Sequence, residues 1–367
     1  MSSAHKHADP VLLVTIFGLV VFGLMMVGSA SFVLGDQLRD NPFYFLQHQL
    51  IYGVGIGIIA FCIGFFTPYN RLRVFALPAL FTSIILLILV FVPGLQVTSG
   101  GASRWVGIGP FTIQPSELTK LSFILYLAAL LERKGAEIKD FKKSVIPFLV
   151  ISSFIGLLII LQPDIGTLFI IAAIALSMVF AAGFRLRHMA AIGFAGIAAF
   201  SILVSTAQYR LHRLFVYLHP ELDPQGIGYQ INQALLAVGT GGLWGLGFGR
   251  SRQKYNYLPE PAGDTIFAVT SEELGFIRTT LLVTVFMVIA YRGYRIAQYT
   301  PDIFGRLLAT GITTWIIMQA FINMASVLAI TPLTGIPFPF ISYGGSALAS
   351  LLFASGVLLN ISRYTTD

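Results

Sequence analysis

Long apolar runs separated by short polar stretches organise this 367-residue chain. Ten such runs stand at about 11–33, 45–66, 75–93, 117–131, 144–161, 166–182, 189–206, 266–290, 305–330 and 344–361. Crossing the hydrocarbon core of a bilayer takes about 20 residues of helix. Backbone groups cannot be left unpaired in lipid, so each run has to be helical. The pattern predicts an all-α integral membrane protein with about ten transmembrane helices. The fourth run is short, and the fifth and sixth nearly touch. No period of 20–50 residues repeats, so neither a solenoid nor an inverted-repeat transporter is signalled. The chain reads as one transmembrane domain, 1–367, holding one large loop at 207–265.

That loop breaks the rhythm of short connections. Loops of such length in compact proteins are functional or disordered, and Tyr209, Phe215, Tyr217, Tyr229, Leu235, Leu236, Trp244 and Tyr257 make it too apolar for disorder. It is expected to fold back on the membrane surface. Within it Arg210, His212 and Arg213 alternate with Leu211, Leu214, Phe215 and Leu218, the pattern of an interfacial amphipathic helix over 208–218.

Composition agrees with a lipid solvent: 56% of residues are hydrophobic and 11% charged, against about a quarter charged in soluble domains. The net charge of +7 is spread over short clusters between apolar runs, which argues against a nucleic-acid partner. Arg71 and Arg73; Arg133, Lys134, Lys139, Lys142 and Lys143; Arg185 and Arg187; and Arg292, Arg295 and Arg306 all fall on alternate connections. The positive-inside rule makes that side, and both termini with it, cytoplasmic, and puts 207–265 outside. Gly28-Ser29-Ala30 faintly resembles a signal-peptidase site, but the run before it is long and its flank weakly basic, so a retained first span is expected. Cys62, the one cysteine, lies inside an apolar run, and the six histidines show no metal-ligand spacing.

Charged groups at or within apolar runs are costly and so become functional candidates. Glu117 and Lys120 lie three apart at the start of the fourth run, on one helical face. They form either a self-neutralising pair or a cavity lysine, oriented by the acid, for an anionic substrate. Asp164, between Pro163 and Gly166, either caps the next helix or contributes to a site. Arg250, Arg252 and Lys254 gather three cations within five residues outside the membrane, suited to a diphosphate or to lipid head groups. Asp264 stands at the mouth of the eighth run, four residues after Glu260, placed to cap that helix, to take a proton from a sugar hydroxyl, or both. Glu272 and Glu273 lie two turns further in, with Arg278 as a candidate partner for one of them. Pro332, Pro337 and Pro339 break an apolar stretch that ends in Ser342 and Tyr343. Non-helical backbone at membrane depth is tolerated only against protein or a watery cavity, so this stretch is expected to dip back beside the 260–265 loop. Packing and hydroxyl chemistry both remain open for Ser342.

Six motifs in order resemble the SEDS family (shape, elongation, division, sporulation) of peptidoglycan glycosyltransferases. They are Ser29-Ala30-Ser31, RWVGIGPFTIQPSELTK at 104–120, QPDIGT at 162–167, the 228–260 stretch ending in SRQKYNYLPE, DTIFAVTSEELGF at 264–276, and TGIPFPFISYGGS at 334–346. The SRQKYNYLPE form is similar to the division branch (FtsW-like) more than to the elongation branch (RodA-like). The resemblance implies a ten-span bundle with cytoplasmic ends, lipid II as substrate, a class B penicillin-binding protein as partner, and septal wall synthesis at the outer face of the cytoplasmic membrane. It also implies a catalytic aspartate, which maps onto Asp264 through the LPE-x-x-x-D spacing. The family's usual His and Phe around that aspartate are replaced here by Ala262 and Thr265. Arg104, Glu117, Lys120, Asp164, Arg250, Arg252, Lys254, Glu260 and Ser342 are the expected substrate-binding set. Charge on the leaving diphosphate calls for cations or a divalent metal ion, Mg or Mn. A lipid II flippase and an inactive scaffold are the alternatives. The flippase would spread polar residues along several spans, whereas here they gather at one face.

Overall fold

The structure, a computed structural model, describes residues 7–99, 102–108, 111–135, 146–206 and 208–365. The first residues of the fifth run, residue 207, and Lys139, Lys142 and Lys143 of the basic set lie outside the described residues. The chain runs through α1 (Pro10–Ala30), α2 (Phe32–Arg39), α3 (Tyr44–His48), a π-helical turn at Gln49–Gly55, α4 (Ile56–Phe66) and α5 (Leu72–Leu89). Then come α6 (Pro115–Lys134), α7 (Ile146–Leu161), α8 (Ile165–Ala181), α9 (Leu186–Ser205), α10 (Gln208–Leu218), α11 (Ile227–Gly241), α12 (Ile266–Tyr299), α13 (Ile303–Val327) and α14 (Gly345–Ser362).

Among the described residues, every predicted apolar run coincides with helix over most of its length. Seven helical stretches among the described residues are long and apolar enough to cross a membrane: α1, Tyr44–Phe66, Tyr69–Leu89, α9, α12, α13 and α14. The other three predicted runs coincide with α6, which carries charge near both ends, and with the shorter α7 and α8. α13 is the axis of the bundle. It is buried along most of its length and packs against α6, α8, α12 and α14. At the other extreme α9 buries no residue and, among the described residues, packs closely against α8 and α10. The amphipathic helix expected over 208–218 is α10, with those bounds.

The architecture is helical, with one addition that helical periodicity does not signal. Between α5 and α6 lies an antiparallel sheet, β1 (Gln96–Ser99), β2 (Ala102–Ile108) and β3 (Phe111–Ile113), in that order. Val97 pairs with Trp105, and Val106 with Ile113. Alternation along β2 puts Arg104 on the same face as the buried Val106.

A second irregularity shapes α12. Gly275 breaks its helical run with φ 78°, a left-handed value that glycine adopts without steric cost. Residues 242–247 enter the break: Phe276 N donates to Gly242 O at 2.8 Å, Ile277 N to Leu243 O at 3.2 Å, and Leu246 and Gly247 N to Glu272 and Glu273 O at 3.0 Å each. A Cβ on Gly275 would lie 2.1 Å from Gly245 N. The large loop is thus stitched into the helix that follows it.

Candidate active site

Asp264 sits in the loop just ahead of α12. Thr265, fully buried, holds that loop closed by donating from Oγ1 to the carbonyls of Pro259 and Glu260. Of the segment predicted to re-enter, 331–346, residues 331–344 are non-helical and lie alongside, and α14 begins at Gly345. Tyr343 N donates to Ala262 O at 2.8 Å, and Ser342 Oγ to Gly263 O at 2.7 Å while accepting from Phe338 N at 2.7 Å. Ser342 therefore splices two pieces of backbone. Asn323 of α13 donates to Asp264 O at 2.7 Å.

Arg104 reaches the same place from the sheet. Its Nε and Nη2 donate to the carbonyls of Gln162 (3.4 Å) and Pro163 (2.5 Å) in the turn between α7 and α8. That turn is fixed by Gln162 Nε2, which donates to Leu87 O at 2.9 Å, and by Asp164, which caps α8. Both Asp164 oxygens are engaged, one by Thr167 N at 3.1 Å and the other by Thr167 Oγ1 at 2.8 Å. A carboxylate so occupied orients the turn that presents Arg104.

Arg104 and Asp264 meet across Gly335. A Cβ built on Gly335 would lie 3.5 Å from Arg104 Nη1 and 3.7 Å from Asp264 Oδ2. Burial, and then the nearby Glu260 carboxylate, push the Asp264 carboxyl up to about 7, with Arg104 pulling the other way. Asp264 Oδ1 is buried without a hydrogen-bond partner among the described residues. The arrangement offers a partly shielded acid, poised near neutrality, facing a guanidinium across a gap wide enough for a ligand atom. Among the described residues no three His, Cys, Asp or Glu side chains gather to hold a metal ion.

Lys120 and Glu117 do not line this gap. Lys120 is 0% exposed and Glu117 1%. The ammonium donates to Glu117 Oε1 at 2.7 Å and Gln319 Oε1 at 2.6 Å, and lies 5.0 Å from the Trp315 ring centroid. The pair neutralises itself, one of the two roles that its spacing allows.

The three loop cations separate. Arg250 and Arg252 are exposed, whereas Lys254 turns inward. Its ammonium donates to Glu273 Oε1 at 3.0 Å, Ser29 Oγ at 3.0 Å and Gly249 O at 2.7 Å. Glu273 also accepts from Ser29 Oγ (2.7 Å), Gly249 N (2.9 Å) and Ser251 N (3.3 Å). Glu272 accepts from Ser251 Oγ and from the backbone N–H groups of Arg252 (3.1 Å) and Gln253 (3.3 Å). Arg278, the expected partner for one of these acids, is not one: its Nη1 donates to Trp244 O at 3.0 Å. The break at Gly275 intervenes between them, and the loop supplies the donors instead.

Sequence reasoning missed Gln319, Asn323, Gly335 and the loop donors around Glu272. A signal existed for the two amides, which stand four apart inside an otherwise apolar run. None existed for Gly335, whose significance depends on what converges around it.

The family model described as "Cell cycle protein" (FtsW/RodA/SpoVE) matches residues 10–367. The chain is 43% identical to stage V sporulation protein E of Bacillus subtilis over 365 residues, 100% of both chains. It is 41% identical to the probable peptidoglycan glycosyltransferase FtsW of Geobacter sulfurreducens over 358 residues, 97% of this chain and 95% of the relative. Its fold matches a chain from the structure described as "Structural coordination of polymerization and crosslinking by a peptidoglycan synthase complex", with TM-score 0.79 and 26% identity over 97% of this chain and 98% of that one. It also matches the rod shape determining protein RodA of Thermus thermophilus, with TM-score 0.71 and 26% identity over 98% of each chain. With a family model covering nearly all of its length, the chain is a multi-pass membrane protein and belongs to the FtsW/RodA/SpoVE (SEDS) family.

Proposed function

We propose that the protein is a peptidoglycan glycosyltransferase that polymerises lipid II, the undecaprenyl-diphosphate-linked disaccharide peptide, for septal wall synthesis. The carrying observation is the Asp264 carboxyl facing Arg104 across Gly335, its proton affinity set near neutrality. Relatives named peptidoglycan glycosyltransferase support the reaction class, and the FtsW names among them support the division role.

The acceptor's sugar 4-hydroxyl is a weak nucleophile. Asp264 takes its proton as the oxygen attacks the donor's anomeric carbon; the new C–O bond forms, the bond to the diphosphate breaks, and the electron pair leaves on the phosphate oxygen. A general base is most effective when its pKa lies near the working pH. The lipid diphosphate needs no proton but gains charge, which the Arg104 guanidinium stabilises through fixed N–H donors. One base and direct displacement give inversion at that carbon. Arg250 and Arg252, exposed on the loop, meet the anionic parts of the substrate or the surrounding lipid. Glu117, Lys120, Asp164, Lys254 and Ser342 hold the frame, and Glu260 tunes the acid.

By the placement of basic connections, both ends lie in the cytoplasm and the site opens at the outer face of the inner membrane, in one transmembrane domain. A class B penicillin-binding protein is the partner that crosslinks the product. Purified protein with lipid II, run on a gel for glycan strands, tests the reading: polymer supports it, and translocation of lipid II without polymer would replace it with the flippase.

Gly335→Ala is a sharper probe of the gap. A non-glycine residue in left-handed backbone costs about 1–2 kcal/mol, and its methyl would contact both Arg104 and Asp264. Turnover should fall at least tenfold while the melting temperature drops only a few degrees. Wild-type turnover in this variant would remove the gap from the site.

A further inference from the structure

Three polar side chains rise along one face of α13 at four-residue spacing: Trp315, Gln319 and Asn323. Each is fully enclosed, at 0% exposure. Amides in such surroundings are costly unless bonded; both side-chain nitrogens are bonded, while Asn323 Oδ1 is buried without a partner among the described residues. Gln319 Oε1 accepts from Lys120 Nζ and, at 2.7 Å, from Trp315 Nε1, while its Nε2 donates to Pro337 O at 3.0 Å. Asn323, about 6 Å further along the helix axis, donates from Nδ2 alone to Asp264 O at 2.7 Å and to Ile336 O at 2.8 Å.

Ile336 and Pro337 are consecutive residues of the non-helical segment, whose carbonyls have no helical partner of their own. α13 supplies the donors. Ile336 directly follows Gly335, whose missing side chain leaves the gap between Arg104 Nη1 and Asp264 Oδ2. One amide nitrogen thus ties the residue that bears the acid to the residue beside the gap's floor. Ile336 is itself wedged against α8, since a Cβ on Gly166 would lie 2.4 Å from Ile336 Cδ1. The turn that holds Arg104 immediately precedes that helix.

We propose that Asn323 is a positioning residue for the acid: by holding the carbonyls of Asp264 and Ile336 on one nitrogen, it sets the separation of the Asp264 carboxyl from Arg104. Gln319 extends the same frame to the Lys120–Glu117 pair, so that the buried pair acts on the site through backbone and not by touching substrate. This inference rests on Asp264 serving as the base. Its consequence is specific to turnover, because a displacement of about 1 Å in a catalytic group costs on the order of 10²-fold in rate, whereas substrate affinity is set by groups that Asn323 does not touch.

The test uses the full-length protein in detergent or nanodiscs with purified lipid II. Asn323→Leu removes both bonds at similar volume, and Asn323→Ser, should the leucine variant fail to fold, keeps a hydroxyl too short to span both carbonyls. Thr313→Val, which removes only a bond to Ala309 O within α13, controls for a polar-to-apolar change on that helix. The expected result is a fall in kcat of about 10- to 100-fold, KM for lipid II within about threefold, and a displaced pH midpoint for kcat, with none of these in Thr313→Val. A folded Asn323 variant with wild-type kcat and pH midpoint overturns the proposal, as does a loss of activity that only tracks the fraction of folded protein. A wild type that makes no glycan overturns the glycosyltransferase reading and this inference with it. Wild-type activity with unaffected variants overturns this inference alone.

Discussion

Asp264→Asn is expected to lower glycan polymerisation by about 10²- to 10⁴-fold, the usual worth of a positioned general base, while the protein still folds and inserts. In the wild type, turnover should rise with pH along a limb of unit slope centred near 7, because the acid must lose its proton to act and its affinity for that proton is raised to about 7. Stability should respond with the opposite sign. A carboxyl that ordinarily titrates at 3.8 but titrates at about 7 when folded favours its protonated form in the native state. That contribution is whole below pH 3.8, erodes as pH rises, and is lost once pH has passed about 7. The asparagine cannot ionise, so the variant should gain melting temperature over wild type at pH 8 and not at pH 4. Strand synthesis on gels and thermal unfolding at the two pH values check both halves. Polymerisation close to wild type would remove Asp264 from the reaction, and a pH-independent difference in melting temperature would mean that its carboxyl is not shielded.

Lys254→Met should be among the most destabilising single changes in the chain. It leaves Glu273 enclosed with only neutral donors, Ser29 Oγ and the N–H groups of Gly249 and Ser251, and it strips Gly249 O of its donor. Breaking one side of a buried ion pair costs about 3–5 kcal/mol. The double variant Lys254→Met/Glu273→Gln removes both charges and should recover most of that loss. Arg252→Gln, two residues away but exposed, should change stability by no more than about 0.5 kcal/mol. Melting curves of the four proteins in one detergent decide the matter. Equal effects of Lys254→Met and Arg252→Gln would mean that Lys254 is wetted and free to meet substrate after all.

That contrast also marks the limit of reading a sequence. Apolar runs located the helices because lipid enforces one solution on each of them, and the amphipathic period of 208–218 delivered α10 to the residue. Asp264 was legible because an acid at a helix mouth is rare and the surrounding motif is specific. Lys254 was not, because Arg250, Arg252 and Lys254 look alike as a string, and only the path of the chain through the break at Gly275 decides which of them turns inward. Arg104 reaches the site because a small sheet intervenes, and that sheet is too short to dominate its stretch of sequence. Asn323 stood in plain view as an amide in an apolar run, yet its partners are carbonyls 59 and 13 positions away. Nothing local to it could name them.

The break in α12 bears on how the chain is assembled during synthesis. An acidic side chain at mid-bilayer costs about 2.5–3.5 kcal/mol on insertion scales, and Glu272 and Glu273 follow one another. Until residues 245–254 have wrapped around them, the first half of α12 is a poor candidate for lipid. The loop emerges from the ribosome before the helix it shields, but its donors have no acids to close on until both have arrived. Pauses or deletions that delay the cradle should then strand α12 at the interface and expose the nascent chain to membrane proteases, even where every later span is intact.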